Sequence, residues 1–325
     1  MRAQERELYQ VQPIDLGLVY HNVLAAFTIN AMEEKISWGQ LGLDEIKARI
    51  NHLVDASIPE WAALKSTARN RHVMEKIKRI CTTSIWAMCH HLNQGKFTPK
   101  GVEWEVKSVN ARSPDSGFDI KLSDDKKMII TGRVDRIDIM DAGKGENFVK
   151  IIDYKSGGKK FDISEVSAGV QLQLALYMGM LVDNDKNALR PGGVFYFHID
   201  DPIIPIDGAY NDKELEAMVL RHFKMSGLAL ADDRAIIGMD TRLSGKEGES
   251  YIIPVSYNKS GGYGKASSVA EYDNFIKLNK MAVDKAKDIG VKLIDGVICP
   301  DPYKKGPKTA CDFCPYDSVC KQVII

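Results

Sequence analysis

The residues best suited to chemistry lie close together in GRVDRIDIMDAGKGENFVKIIDYKSG, residues 132–157. Read as a strand, KIIDYKSG puts Ile151, Asp153 and Lys155 on one face and Ile152 and Tyr154 on the other, because successive side chains point oppositely. Asp153 and Lys155 are therefore neighbours. The short DAGKGENF connection brings the preceding GRVDRID arm alongside. Asp135 and Asp138 fall on opposite faces of that arm, and spacing alone leaves open which of them meets Asp153. Two carboxylates on paired strands can hold a hard divalent cation, and Mg²⁺ favours such sparse oxygen ligation. A cation there would make a water more acidic and neutralise charge building on a phosphate. Lys155 would orient that water or stabilise the charge electrostatically. Asp-x-Lys alone is common on polar strand faces. The apolar run before Asp153 and the Gly-x-x-Asp arm upstream are what give it weight.

A second cluster closes the chain. Three of the six cysteines, Cys311, Cys314 and Cys320, follow C-x2-C-x5-C. Such crowding in a reducing compartment reads as a metal site before it reads as disulfides. With a fourth ligand, three thiolates would complete a zinc site or a 4Fe-4S cluster. Cys81 and Cys89 read as buried apolar groups. His90 and His91 beside Cys89 suggest zinc, but nothing else in the chain completes that set.

These groups need a scaffold. Residues 14–96 read as helical, in segments 14–32, 43–58 and from about Thr67 to Asn93, with apolar residues at three and four spacing. From Glu103 the period becomes that of strands, at 103–111, 118–123, 127–140 and 147–155. Short turns between them predict antiparallel pairing. A helix over about Val166 to Leu181 and a strand at GGVFYFHI, residues 192–199, make the sheet mixed and the class α/β. Residues 239–268 are rich in Gly, Ser and Lys and read as an exposed hairpin or mobile loop. A helix over about Val269 to Ile289 leads to the cysteines.

Lys plus Arg and Asp plus Glu number 44 each, so a nucleic-acid surface must be a local patch. No stretch nears the roughly 20 apolar residues needed to cross a bilayer, and the start has no apolar signal core. A cytoplasmic protein is the expectation. No GxxxxGK[ST] pattern occurs, so ATP hydrolysis is not expected of this chain.

Taken together, these motifs resemble the RecB-like branch of the PD-(D/E)XK nucleases, and within it the nuclease region of AddB subunits of bacterial AddAB helicase-nucleases. Four pieces occur in family order: Gly17-x-x-x-His21, Gly132-Arg133-Val134-Asp135, Asp153-Tyr154-Lys155 and Gln173-x-x-x-Tyr177. The cysteine end after Pro302 and Tyr303 is a fifth. The resemblance spans nearly the whole chain. It implies a restriction-endonuclease-like mixed sheet flanked by helices. Residues 1–100 would form a helical N-terminal part, 101–238 the nuclease core, 239–268 a loop, and 269–325 a C-terminal helix and Cys-rich knuckle.

The resemblance further implies metal ligation of Mg²⁺ or Mn²⁺ by His21, Asp135, Asp153 and the Tyr154 backbone carbonyl. Asp135, Asp153 and Lys155 would be catalytic, and Gln173 and Tyr177 would line the DNA path. Gln173 and Tyr177, four apart on a helix, do share a face. An imidazole ligand such as His21 suits Mn²⁺ better than Mg²⁺. Cys311, Cys314 and Cys320 would ligate a 4Fe-4S cluster whose first cysteine lies, in the family, just upstream of where this chain starts. The cluster is therefore expected to be incomplete or absent in this chain. The implied partners are DNA and an AddA-type helicase-nuclease subunit, and the implied function is DNA exonuclease action in double-strand break repair and recombination.

Basic residues recur at RNRHVMEKIKR, GGKK and PYKKGPK. Lys159 and Lys160 directly follow the catalytic strand and are the patch most suited to DNA phosphates. Lys259, Lys265, Tyr257 and Tyr263 could add phosphate contacts or base stacking. The alternative function is a catalytically silent nuclease fold that binds DNA or docks a subunit, motivated by the neutral charge and the missing cysteine.

Overall fold

A computed structural model describes residues 13–57, 68–106, 118–183, 189–297, 299, 301–316 and 320. Three helices open it: α1 (Pro13–Glu33), α2 (Leu43–Ser57) and α3 (Ala68–Gln94). Each turns an apolar stripe inward, as in Ile46, Ile50 and Val54 of α2 at four-residue spacing. The strands follow: β1 (Thr98–Glu105), β2 (Phe118–Lys121), β3 (Lys127–Ile130), β4 (Arg133–Gly143) and β5 (Glu146–Lys155). Next come α4 (Ile163–Ser167), α5 (Gln173–Asp183), β6 (Leu189–His198), α6 (Asp212–His222), β7 (Ser226–Leu230) and α7 (Asp233–Met239). The remainder comprises β8 (Gly248–Glu249), β9 (Ser256–Tyr257), β10 (Val269–Ala270), α8 (Tyr272–Ile294), β11 (Lys304–Lys305) and β12 (Lys308–Thr309).

One six-stranded mixed sheet has the order β1-β4-β5-β6-β7-β10. β1, β4 and β5 pair antiparallel, and β5 pairs parallel with β6 across the α4–α5 crossover. Helices cover both faces, so the central strands are apolar on both sides, Phe148, Val149, Ile151 and Ile152 in β5 being 3 % exposed or less. The β4–β5 hairpin turns through Gly143, Lys144 and Gly145, all at positive φ, where glycine costs least. Among the described residues no helix is long and apolar enough to cross a membrane.

Several elements differ from the sequence expectation. The first strand begins at Thr98 and ends at Glu105, and residues 107–111 lie outside the described set. The 127–140 run is broken at Thr131 and Gly132, because β3 pairs with β2 in a separate ribbon while β4 joins the main sheet. The 166–181 helix is two helices, divided where Gly169 takes φ +87° against α8. Residues 239–268 do contain a hairpin, β8–β9, but Ile252, Ile253 and Val255 beside it are buried, so an apolar plug replaces the expected exposed loop. Helix α6, with its Asn211–Glu214 capping box, along with β7 and α7, had no sequence counterpart.

Candidate active site

Register puts the chemistry in a row. On one face of the sheet Glu103 of β1 comes opposite Asp135 of β4, since Val102 pairs with Arg136 and Trp104 with Val134. Arg136 pairs with Ile152, so Asp135 comes opposite Asp153 of β5, which in turn pairs with Tyr196 of β6. Beyond Arg136 the ladder is continued by a side chain, the Tyr154 amide donating to Asp135 Oδ2 at 2.6 Å. This interaction pins the carboxylate in the plane between the two strands.

His21 enters from α1, a helix whose Tyr20, Val23, Leu24 and Phe27 are buried in the core and hold the partly exposed imidazole at its flank. Its Nδ1 is 3.3 Å from Asp135 Oδ2, and its ring meets the Tyr154 ring edgewise at 5.7 Å. One turn earlier Gly17 packs against Ser156, so α1 also touches the residue after Lys155. Ligand atoms of His21, Glu103 and Asp135 all lie within 4.8 Å of one another. The Lys155 ammonium forms an ion pair with the Asp153 carboxylate. Glu103 escaped the sequence reading. It occupies a left-handed conformation, φ +48°, rare for a residue with a Cβ.

Electrostatics mark the site as short of positive charge. Burial raises the Asp153 pKa, the Asp135 charge raises it further, and Lys155 and His21 offset only part of this. Glu103 is likewise raised, by burial and then Asp135, against His21 and Arg133. Burial by itself would lower the His21 pKa, but its hydrogen bond to Asp135 and the charges of Asp135, Asp153 and Glu103 leave it raised. Three carboxylates drawn together at such cost are what a divalent cation would relieve.

The other face of the same strands holds the second aspartate of GRVDRID. Asp138 accepts from Arg136 at 2.6 and 2.7 Å and lies 3.0 Å from Lys150, all three buried. Arg136 and Lys150 together overcome the effect of burial and hold the Asp138 carboxyl below its usual range. Asp138 therefore belongs to a buried ionic cluster, and Asp135 faces Asp153.

On α5, Tyr177 is buried and Gln173 exposed. The Tyr177 hydroxyl meets the Gln173 side chain and the Arg133 backbone and senses the charges of Asp153 and Asp135. It also lies 2.2 Å from where a Cβ on Gly132 would sit, which accounts for glycine at that position. Lys159 and Lys160 follow the end of β5, with the Lys159 ammonium 6.0 Å from the Tyr196 ring centre. Tyr257 and Tyr263 are not free for stacking, since their rings pack together at 5.3 Å and both hydroxyls donate to Asp233.

Nor do His90, His91 and Cys89 form a zinc set. His90 pairs with Glu216, buried His91 has its pKa lowered to about 3, and burial pushes the Cys89 thiol up to about 12. At the C-terminal end a turn carries Cys311 and Cys314, the Cys314 amide donating to the Cys311 carbonyl at 3.0 Å. Among the described residues no three thiols gather within 4.8 Å. The described residues give no support for a 4Fe-4S cluster at Cys311, Cys314 and Cys320.

The chain is 34% identical over 326 residues to the B-type subunit of an ATP-dependent helicase/deoxyribonuclease from Thermoanaerobacter sp. (strain X514). It is 35% identical over 328 residues to the protein of the same name from Caldanaerobacter subterraneus subsp. tengcongensis, and 33% over 326 residues to that from Acetivibrio thermocellus. These alignments cover 98–99% of this chain but only 28% of each relative. Residues 1–321 match the family model for the PD-(D/E)XK nuclease superfamily. With that match across almost its full length, on a mixed sheet carrying the Asp135, Asp153 and Lys155 constellation, the chain belongs to the PD-(D/E)XK nuclease superfamily.

Proposed function

We propose that the chain is a metal-dependent deoxyribonuclease domain that hydrolyses phosphodiester bonds of a DNA strand drawn past Asp153. The carrying observation is the row of Glu103, Asp135 and Asp153 across β1, β4 and β5, with His21 at one carboxylate and Lys155 at the other. His21, Glu103, Asp135 and Asp153 would hold the cation. A residue's amide and carbonyl point to the same side of a strand, so the Tyr154 carbonyl faces Asp135 as its amide does and is a fifth donor. Carboxylates suit Mg²⁺ or Mn²⁺, and the imidazole favours Mn²⁺. When bound, the cation supplies Lewis acidity to the phosphate and lowers the pKa of a water.

The chain's own groups do the rest. Lys155, held by Asp153, stands beside the position where charge accumulates on the phosphate oxygens as the P–O bond breaks. Tyr177 and Gln173 on α5 offer a hydroxyl and an amide to the sugar-phosphate backbone, and Lys159 and Lys160 offer charge. The relatives are named as helicase/deoxyribonuclease subunits. By extension this chain serves as the nuclease part of an AddAB-type enzyme, beside an AddA-type subunit, in double-strand break repair. The 4Fe-4S cluster enters no step.

The test is cleavage of end-labelled single-stranded DNA with Mn²⁺ or Mg²⁺ by the wild type and by Asp153→Ala, Lys155→Ala and Glu103→Gln. The wild type should cut, the first two variants should lose about 10²–10³ in kcat, and Glu103→Gln should need at least about tenfold more Mn²⁺. Equal cleavage by all four rejects the site. DNA binding without cleavage by any favours the silent module.

A further inference from the structure

Past Lys155 the chain runs through Gly157 and Gly158, around which a Cβ would meet nothing within 4 Å. It is then tied down at four successive residues. The Lys159 carbonyl accepts from His198 Nε2 at 2.8 Å, and the Lys160 carbonyl from Gln171 Nε2 at 2.9 Å. The Phe161 amide donates to Ser226 Oγ at 2.9 Å, and the Asp162 amide to Gln171 Oε1 at 3.3 Å. A carbonyl can only accept, so His198 Nε2 carries its proton here. Gln171 is 2 % exposed and is held in turn by Glu165, to which its Nε2 also donates at 2.7 Å. The free turn thus ends abruptly in a fixed strap.

The strap decides where Lys159 can reach. Its ammonium folds back over Tyr196, 6.0 Å from the ring centre, while that of Lys155 lies 5.3 Å from the same ring. Tyr196 pairs with Asp153, and His198 with Lys155, so all four side chains belong to one face at the ends of β5 and β6. The two cations differ in one respect. Lys155 is neutralised by Asp153, whereas among the described residues no carboxylate pairs with Lys159. An unneutralised ammonium on a fixed main chain, one ring away from the reactive carboxylate, is a phosphate contact in waiting.

Resting on the reading of the site as a DNA-cleaving centre, we propose that His198 and Gln171 are positioning residues that hold Lys159 so that its ammonium binds the DNA phosphate next to the scissile one. His198 was singled out by no motif, and it touches no DNA in this scheme.

The experiment measures binding of the 325-residue chain to labelled single-stranded DNA without divalent metal, across a salt series. A lysine neutralising one single-strand phosphate contributes about 0.7 to the slope of log K against log salt. Lys159→Ala should lower that slope by about 0.7 and weaken binding by about three- to tenfold. His198→Ala should reproduce most of both effects, His198→Gln, whose amide can donate to the same carbonyl, should restore them, and the double variant should be no worse than Lys159→Ala. In cleavage with Mn²⁺, Lys159→Ala and His198→Ala should raise KM several-fold and change kcat by less than about twofold.

A Lys159→Ala protein with an unchanged slope overturns the phosphate contact. A His198→Ala effect that persists in full on the Lys159→Ala background overturns the strap. Urea midpoints verify folding, and His198→Phe, which keeps the ring volume without the donor, replaces alanine if the midpoint falls. Because these slopes are read without metal, cleavage that survives Asp153→Ala would separately sink the assignment of the cleavage site.

Discussion

Gly132 offers a sharp test of the packing behind the site. A Cβ there would lie 2.2 Å from the Tyr177 hydroxyl oxygen, 3.2 Å from Cζ and 3.5 Å from Cε1. The backbone is not left-handed at this glycine, so alanine meets no conformational penalty, only the clash. Tyr177 is 7 % exposed and cannot swing clear. Overpacking of this kind costs about 1–3 kcal/mol. Reduced freedom of the unfolded chain returns about 0.4–1 kcal/mol. Gly132→Ala should therefore destabilise by up to about 2.6 kcal/mol. Tyr177→Phe removes the clashing oxygen and leaves Cζ at 3.2 Å as the closest atom, a contact that yields with a shift of a few tenths of an ångström. On that background the alanine should cost almost nothing, a coupling of about 1–2 kcal/mol. Urea unfolding of the wild type, both single variants and the double variant measures this, provided the m-values agree. An equal cost of Gly132→Ala on both backgrounds would show that the hydroxyl is not what the glycine accommodates.

Two further predictions concern charge. Asp138→Ala leaves Arg136 and Lys150 buried without their anion and should cost about 3–5 kcal/mol in urea unfolding; a loss below about 1 kcal/mol would mean water reaches the cluster. The raised pKa of Asp153 has a definite linkage sign: the folded metal-free protein holds that proton longer than the unfolded chain, whose value is about 3.9. The associated stability is full below the unfolded value and is lost as pH rises through the folded one. In EDTA, Asp153→Asn should accordingly match the wild type in Tm near pH 3 and exceed it by about pH 7. A gap that does not vary with pH would contradict the burial and Asp135 charge described above.

Much of the site was legible because strand alternation is local. Asp153 and Lys155 need only a period of two to become neighbours, and Gln173 and Tyr177 only a helical turn. What stayed hidden depends on register between distant segments. Asp135 and Asp138 are indistinguishable until the sheet is known to be covered on both faces, one polar around a site and one ionic around Arg136 and Lys150. Glu103 belongs to EWEVK, an ordinary alternating strand, and nothing local says that β1 pairs with β4 so as to bring it opposite Asp135. The Gly- and Ser-rich 239–268 stretch misled for a related reason: three apolar residues in it, Ile252, Ile253 and Val255, outweigh the composition around them. The strap on Lys159 joins residues from β6, β7 and the connection between α4 and α5, which no spacing rule connects.

The left-handed Glu103 carries an architectural consequence. Conformational preference alone would assign glycine or asparagine to that backbone, and a glutamate there costs about 1–3 kcal/mol. An interior strand would add the loss of ladder bonds on both sides. β1 is the sheet margin, with β4 as its sole neighbour in the strand order, so the distortion interrupts one ladder at most, and Val102 and Trp104 on either side keep their partners Arg136 and Val134. Sheet order and ligand chemistry are thus tied together: the strand that bends to present a carboxylate is one the topology leaves on the border, where local disorder of the pleat is cheapest.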